Sequence, residues 1–131
     1  MISWFEKHHV LSWLITFLIA GTIFYVSSLT FESAGTGSSS NIKTIIYHIL
    51  IFFIFSFFLM IASVKGKNKE LIFLAVPIAV LYGISDEIHQ YFVPGRYSTI
   101  FDIFLNSVGI LFAFMIYLIT IVYREKNGRI V

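Results

Sequence analysis

Seven side chains that could bind a charged group or move a proton lie between residues 86 and 106, flanked by two long apolar runs. They are Asp86, Glu87, His89, Gln90, Arg96, Asp102 and Asn106. Carboxyl and imidazole groups can act as general acids and bases, and a guanidinium can bind phosphate or carboxylate through two parallel hydrogen bonds. Because a charge beside hydrocarbon is costly, this concentration of polar groups indicates a site with a partner or a task.

Most of these residues also have a purely structural interpretation. The T-x-x-D pattern that ends at Asp102 is typical of a capping box, so Asp102 could serve only to begin a helix. Asn106 could bridge two helices by hydrogen bonds. His48 and His89 could lie at a membrane interface, and Arg96 could be an exposed turn charge. The sequence leaves both interpretations open for these five residues.

Asp86 and Glu87 are the hardest residues to explain structurally. Two adjacent acids within an apolar run need a cation, a shared proton or access to water. We therefore take Asp86, Glu87 and Asp102 as the candidate catalytic residues. The candidate substrate-binding residues are Arg96, Gln90, Asn106, His48 and Ser28. No recognised metal spacing occurs, so neither a metal site nor a cofactor is predicted, although a divalent cation held by the acids is conceivable.

The composition of the chain predicts a membrane protein. Of its 131 residues, 58% are hydrophobic and 12% are charged, with a mean hydropathy of +0.89. Soluble domains carry about 25% charged residues. The net charge of +2 is too small to indicate a nucleic-acid partner. The chain has no cysteine, which excludes thiolate chemistry and cysteine metal sites.

Four apolar runs predict an all-α fold, a four-helix transmembrane bundle that forms one domain over residues 1–131. The expected spans are 10–31, 44–64, 71–93 and 101–123, each long enough to cross about 30 Å of hydrocarbon. The first run could instead be a cleaved signal peptide, but the apolar part of such a peptide is only about 7–15 residues long. Residues 32–41 are rich in Gly and Ser and predict a flexible loop.

The distribution of Lys and Arg predicts the orientation of the bundle. The two sides of the predicted membrane carry very different numbers of basic residues. Only Lys43 and Arg96 lie on one side, and the other side holds Lys7, Lys65, Lys67, Lys69, Arg124, Lys126 and Arg129. This asymmetry predicts that both termini are cytoplasmic in the plasma membrane. The Gly/Ser loop and the Pro94–Gly95–Arg96 turn then face outward.

The third and fourth spans predict an antiparallel hairpin centred on Arg96. In that register Asp86 lies level with Asn106, and Gln90 lies level with Asp102. Helical spacing places the polar residues of each span on one face, where small residues allow close packing of the two helices. We therefore expect Asp86 and Asp102 to face each other in an outward-facing polar pocket. Ser27, Ser28, Tyr47 and His48 end or begin the other spans at the same level. No comparable cluster is expected on the cytoplasmic side.

The polar segment resembles the VanZ-like family of small membrane proteins. The resemblance is carried by the pattern D-E-x-x-Q-x-F-x-P-G-R at 86–96 and by D-x-x-x-N-x-x-G at 102–109. Ser27, Ser28, Lys43 and His48 are weaker points of similarity. The founding member of the family is linked to resistance to teicoplanin, a glycopeptide antibiotic that acts at the outer face of the membrane. The resemblance thus implies an envelope function and possible antibiotic resistance, but no established mechanism.

Several functions are compatible with this pattern. An enzyme could act on a membrane lipid or a lipid-linked envelope precursor, with an acid as general acid or base and Arg96 at a phosphate. A non-catalytic scaffold could bind the same headgroup without proton transfer. A small proton or ion conduit is a further alternative, although the acids lie only in the outer half. In a purely structural protein, the polar groups would satisfy one another. The sequence specifies neither an oligomeric state nor whether the protein is an enzyme.

Overall fold

The chain folds almost entirely into helices. The computed structural model describes residues 2–30, 42–65 and 68–128. Within these ranges there is no strand, and a short 3-10 turn at Lys69–Leu71 precedes the fourth helix. The helices are α1 (Ile2–Lys7), α2 (His9–Ser28), α3 (Ile42–Val64), α4 (Ile72–Phe92) and α5 (Ile100–Lys126). The predicted all-α fold is confirmed. The Gly/Ser-rich loop predicted at 32–41 lies outside the described residues.

Helices α2 to α5 are each long and apolar enough to cross a membrane. The 20 residues of α2 give a length of about 30 Å, which matches the hydrocarbon thickness of a bilayer. The 27 residues of α5 give about 40 Å, so α5 extends beyond the hydrocarbon. Large apolar side chains such as Leu18 and Phe73 point away from the bundle and are 70% and 69% exposed. The protein is therefore an integral membrane protein whose outer surface suits lipid.

Helix α3 lies at the centre of the bundle and packs against α2, α4 and α5. Its contact with α5 depends on Gly109. A Cβ atom at this position would overlap the carbonyl oxygen of Ile49 and lie 3.0 Å from the backbone nitrogen of Phe53. Small residues of this kind allow membrane helices to pack backbone against backbone. The sequence predicts that the small residues of α5 pack against α4, but the backbone that Gly109 meets belongs to α3.

A tight turn joins α4 to α5. The Arg96 N–H donates to the carbonyl of Val93 at 3.1 Å, and Gly95 has a φ of +78°. Pro94 followed by a glycine of positive φ is typical of a type II turn. The turn reverses the chain and brings the polar residues of both helices to one end of the bundle, which we call the hairpin end.

The opposite end, which we call the termini end, holds α1 and the last turns of α5. Helix α1 packs on the bundle through Phe5, whose ring meets Phe58 of α3 edge-on with 5.4 Å between centroids. The hydroxyl of Ser12 donates to the Phe5 carbonyl at 2.8 Å and ties α1 to α2. The N-terminal residues are therefore part of the fold and pack against α2 and α3.

Candidate functional site

The hairpin end contains seven buried polar side chains contributed by α2, α3, α4 and α5. None of them is more than 5% exposed. We call this group the hairpin cluster: Ser27, His48, Asp86, Glu87, Gln90, Asp102 and Asn106. Burying ionisable groups within a membrane bundle is costly, so their hydrogen bonds decide what the cluster can do.

Three residues of α4 enter the cluster because of helical spacing. Asp86, Glu87 and Gln90 all lie on the buried face of α4, together with Gly83 one turn earlier. A Cβ atom at Gly83 would lie 3.2 Å from the Phe52 ring, so glycine allows α3 to approach α4 just below the acids. The phase of the helix thus turns two adjacent carboxylates inward.

Asp102 has two different environments at its two carboxylate oxygens. Oδ2 accepts from the Thr99 N–H at 3.0 Å and from the Thr99 hydroxyl at 2.7 Å, and the Asp102 N–H returns a bond to that hydroxyl at 3.3 Å. The capping box predicted from the sequence is confirmed. Oδ1, however, is buried without a hydrogen-bond donor in the described part of the chain. Capping therefore explains the position of Oδ2 but not the burial of Oδ1 without a donor.

Asn106 connects α3 to α4 at the centre of the cluster. Its Nδ2 donates to Glu87 Oε1 at 3.2 Å, and its Oδ1 lies 2.9 Å from His48 Nδ1. With the amide in this orientation, His48 Nδ1 must carry a proton. His48 Nε2 then points toward Asp102 Oδ1 at 3.9 Å, while Nδ1 also lies 3.6 Å from Glu87 Oε1. The imidazole therefore lies between two carboxylates.

Gln90 connects Asp86 to α2 and to the turn. Its Nε2 donates to Asp86 Oδ2 at 2.8 Å and to Ser27 Oγ at 3.2 Å, and its Oε1 accepts from Arg96 Nη2 at 2.7 Å. The second oxygen of Asp86, Oδ1, is buried and has no hydrogen-bond donor among the described residues. Asp86 and Asp102 thus each have one oxygen that is buried in the hairpin cluster without a donor among the described residues.

The turn between α4 and α5 forms the roof of the hairpin cluster. The Ser98 hydroxyl donates to Glu87 Oε2 at 2.9 Å, so both oxygens of Glu87 have donors. Arg96 and Ser98 are only half-buried. Sequence alone does not identify Ser98 as part of the site, because a serine beside a turn carries no signal other than its position. Hydrogen bonds from Arg96 to Gln90, from Ser98 to Glu87 and from Thr99 to Asp102 therefore hold the roof over the acids.

Two details of the predicted arrangement need correction. Asn106 bonds to Glu87, one residue after the Asp86 that the predicted register places level with it. Asp86 is instead linked to Ser27 through Gln90 Nε2, which donates to both side chains. Ser28 lies outside the hairpin cluster: it is exposed, and its hydroxyl bonds to the Phe24 carbonyl and to His89, both outside the cluster. Ser27, one position earlier, takes the buried place that was assigned to Ser28.

A second buried polar group lies at the termini end, contrary to the expectation that only solvated basic residues occur there. Glu6 is 6% exposed and Tyr117 is fully buried. The Tyr117 hydroxyl donates to Glu6 Oε1 at 2.9 Å, and Arg124 Nη1 donates to Glu6 Oε2 at 2.7 Å. We call Glu6, Tyr117 and Arg124 the termini cluster. The spacing of Tyr117 and Arg124, seven residues apart on α5, was the available signal.

The hairpin cluster can bind or transfer a proton. An imidazole with a carboxylate on each side can pass a proton between them or pair with both when protonated. The cluster could also accept hydrogen bonds from a ligand through Asp86 Oδ1 and Asp102 Oδ1. Within residues 2–30, 42–65 and 68–128, no three His, Asp or Glu side chains have an arrangement that could hold a metal ion.

The comparisons with known proteins agree with this architecture. The family model described as VanZ/LLP1 matches residues 3–122, a range that includes all four long helices up to the last turn of α5 and the whole hairpin cluster. No curated protein and no solved structure matches the chain. On the strength of the family match, the chain is a membrane protein of the VanZ/LLP1 family.

Proposed function

We propose that the hairpin cluster binds or acts on the headgroup of an envelope lipid or a lipid-linked envelope precursor. The observation that supports this proposal most strongly is the pair of buried, unsatisfied oxygens on Asp86 and Asp102. A structural network would satisfy its own members, because each buried polar atom without a partner costs about 1–3 kcal/mol. A site that meets a ligand keeps such atoms for the ligand.

The position of the cluster suits a headgroup better than a soluble substrate. The cluster lies at the ends of the spanning helices, beneath a short roof that carries Arg96. Beside it, Tyr91 and Phe92 are 73% and 75% exposed and offer an apolar surface to acyl chains. A lipid could therefore place its chains on α4 and its polar group at the roof, where the guanidinium suits a phosphate.

We further propose that the hairpin end faces outward, with both termini in the cytoplasm and the protein in the plasma membrane. The proposal rests on the asymmetry of Lys and Arg between the two ends. A reporter enzyme that is active only in the cytoplasm, fused after Val131, should then be active. A C-terminus that is accessible from outside intact cells would reverse the orientation and place the cluster at the inner leaflet.

Two modes of action are consistent with this placement. In an enzyme, His48 and Glu87 would exchange a proton with the substrate, and Asp102 would hold the charge on the imidazole. In a non-catalytic scaffold, the same side chains would only bind the headgroup. A proton or ion conduit has less support, because the buried residues of α5 between the two clusters are Gly109, Ile110 and Ala113. Along α5, this stretch offers no polar side chain that could pass a charge from one cluster to the other.

The resemblance to proteins linked to teicoplanin resistance supports an outer-face role. Teicoplanin acts where cell-wall precursors are exposed, so a protein that binds or modifies an envelope headgroup there could alter access of the drug. Glycopeptide tolerance is accordingly the cellular phenotype that we propose to measure, alongside lipid composition.

Mass spectrometry of lipid extracts from cells with and without the protein tests the proposal. An enzyme predicts a lipid whose mass changes when the protein is present, and Glu87→Gln should abolish the change. A scaffold predicts no new mass but a lipid that co-purifies with the protein. If the wild-type protein neither changes the mass of any lipid nor co-purifies with a lipid, that result contradicts the proposed function.

A further inference from the structure

We infer that the headgroup bound at the hairpin cluster carries a primary ammonium group, an inference that rests on the proposed function of the same site. The proposed function requires only a lipid headgroup. The hydrogen-bond pattern of the three carboxylates narrows the chemistry of that headgroup.

The carboxylates of the cluster have six oxygens, and four of them receive hydrogen bonds from neutral groups. Glu87 accepts from the Asn106 amide and the Ser98 hydroxyl, and Asp86 Oδ2 accepts from the Gln90 amide. Asp102 Oδ2 accepts from the backbone and hydroxyl of Thr99. These donors fix the orientation of the acids but carry no charge. His48, whose Nε2 lies 3.9 Å from Asp102 Oδ1 and whose Nδ1 lies 3.6 Å from Glu87 Oε1, can supply at most one positive charge to the three carboxylates. The remaining two oxygens, Asp86 Oδ1 and Asp102 Oδ1, are the buried atoms without a donor in the described ranges.

A primary ammonium supplies what those two oxygens lack. It carries a positive charge and three N–H donors, and hydrogen bonds between charged partners are about twice as strong as neutral ones. A quaternary ammonium has the charge but no N–H, and it is recognised instead by aromatic faces. A phosphate alone has only acceptor oxygens, which carboxylates repel. Of these three groups, the primary ammonium is the one that offers the acids both a positive charge and N–H donors.

The roof explains how an ammonium and a phosphate could be bound together. Arg96 donates to Gln90, and Gln90 donates to Asp86, so the guanidinium is connected to an unsatisfied carboxylate through one amide. Arg96 and Lys43 bring positive charge to the same end of the bundle, and Lys43 is exposed in the first turn of α3. A headgroup with an ammonium next to a phosphate, such as phosphoethanolamine, matches this order of charges.

Native mass spectrometry of the purified protein in detergent tests the inference. The protein is mixed with equal amounts of phosphatidylethanolamine, phosphatidylcholine and phosphatidylglycerol that share the same acyl chains. We expect phosphatidylethanolamine to be retained roughly tenfold more than phosphatidylcholine, the effect of losing hydrogen bonds to charged groups. Asp86→Asn and Asp102→Asn should each reduce that preference. Glu6→Gln, which alters an equally buried acid at the other end, should leave it unchanged.

Competition identifies the source of the amine. Soluble phosphoethanolamine should displace the lipid only at high concentration, because it lacks the chains that lie on α4; displacement at equal concentration would overturn the lipid as the source. Equal retention of the ethanolamine and choline lipids would contradict the inference that the headgroup carries a primary ammonium. A preference for the ethanolamine lipid that survives both Asp substitutions would contradict it as well. If Arg96→Ala still reduced lipid retention in that case, the proposed headgroup site would remain supported without the ammonium. Retention independent of every residue of the hairpin cluster would contradict both proposals.

Discussion

The two buried polar clusters at opposite ends of the bundle differ in how completely they are satisfied. In the termini cluster, one carboxylate has a donor on each oxygen, and one of these donors is a guanidinium. In the hairpin cluster, three carboxylates share neutral donors, and two oxygens have none in the part of the chain that the structure describes. The same bundle can therefore bury an acid with a donor on each oxygen. The two oxygens without donors at the hairpin end therefore call for an explanation other than burial itself.

This difference separates a structural role from a functional one. The termini cluster ties α1 to the end of α5, and a network of this kind contributes to stability when all members are paired. The hairpin cluster holds three carboxylates beside one imidazole, and two of their oxygens lack a donor among the described residues. Unsatisfied buried oxygens lower stability and are typical of sites that act on a ligand. Substitutions at the two ends should therefore differ in the ratio of lost stability to lost function.

The largest loss of stability is expected from Gly109→Leu. A side chain here overlaps the Ile49 carbonyl, so α3 and α5 must separate and His48 must move from Asn106. Overpacking of this kind costs about 3 kcal/mol. Thermal unfolding in detergent measures the effect. Gly21→Leu is the matched control, because a Cβ at Gly21 meets nothing within 4 Å. Equal unfolding temperatures for the two variants would show that the contact between α3 and α5 is looser than described.

Glu6→Gln should have the next largest effect, a loss of about 1–3 kcal/mol, because the Arg124 guanidinium loses its charged acceptor. The control is Glu125→Gln. Glu125 pairs with Lys69, but its side chain is 45% exposed, and exposed pairs contribute only about 0–1 kcal/mol. Lipid retention should be normal in both variants. If the Glu6→Gln variant remains folded but no longer retains the lipid, the termini cluster also takes part in function.

Thr99→Ala should cost about 1 kcal/mol, the usual value for an N-cap side chain. It also removes one donor from Asp102 Oδ2, so lipid retention should change as well. Ser107→Ala is a suitable comparison, since that hydroxyl bonds to the Ile103 carbonyl of its own helix. The two unfolding curves, recorded under one condition, give the difference. Coinciding curves would show that the capping box contributes nothing to the start of α5.

Asp86→Asn should have the smallest effect on stability, a change within about 1 kcal/mol or a small gain. The amide can still accept from Gln90, and the substitution removes a buried charge whose second oxygen lacks a donor. Unfolding of Asp86→Asn beside Glu6→Gln, in the same detergent, makes the contrast direct. A loss for Asp86→Asn as large as that for Glu6→Gln would assign both clusters to stability.

Much of the fold follows from the sequence because a membrane restricts the choices. Long apolar runs must form helices, T-x-x-D at 99–102 begins one of them, and Pro94–Gly95 reverses the chain. The identity of the buried acids also follows, since charges on a spanning segment turn inward. The finer arrangement does not follow. Whether Asp86 or Glu87 meets Asn106 depends on the rotation and depth of α4 against α5, which local patterns do not encode.

The termini cluster and the choice of Ser27 over Ser28 illustrate the same limit. Helix α1 has six residues, too few to show a hydrophobic period, and Glu6 resembles an ordinary flanking charge until α5 packs beside it. Adjacent serines at the end of α2 differ only in helical phase, which the packing of α2 on α4 determines. Both features depend on contacts between helices that are distant in the chain.

The functional assignment of the hairpin cluster is tested most directly in cells at matched protein abundance. Wild type, Asp86→Asn, Glu87→Gln and Glu6→Gln are compared for the phenotype that depends on the protein, either lipid composition or glycopeptide tolerance, beside the amount in the membrane. We predict that Asp86→Asn and Glu87→Gln are inactive at normal abundance, whereas Glu6→Gln is active per molecule. Full activity of both hairpin-end variants at normal abundance would contradict the assignment.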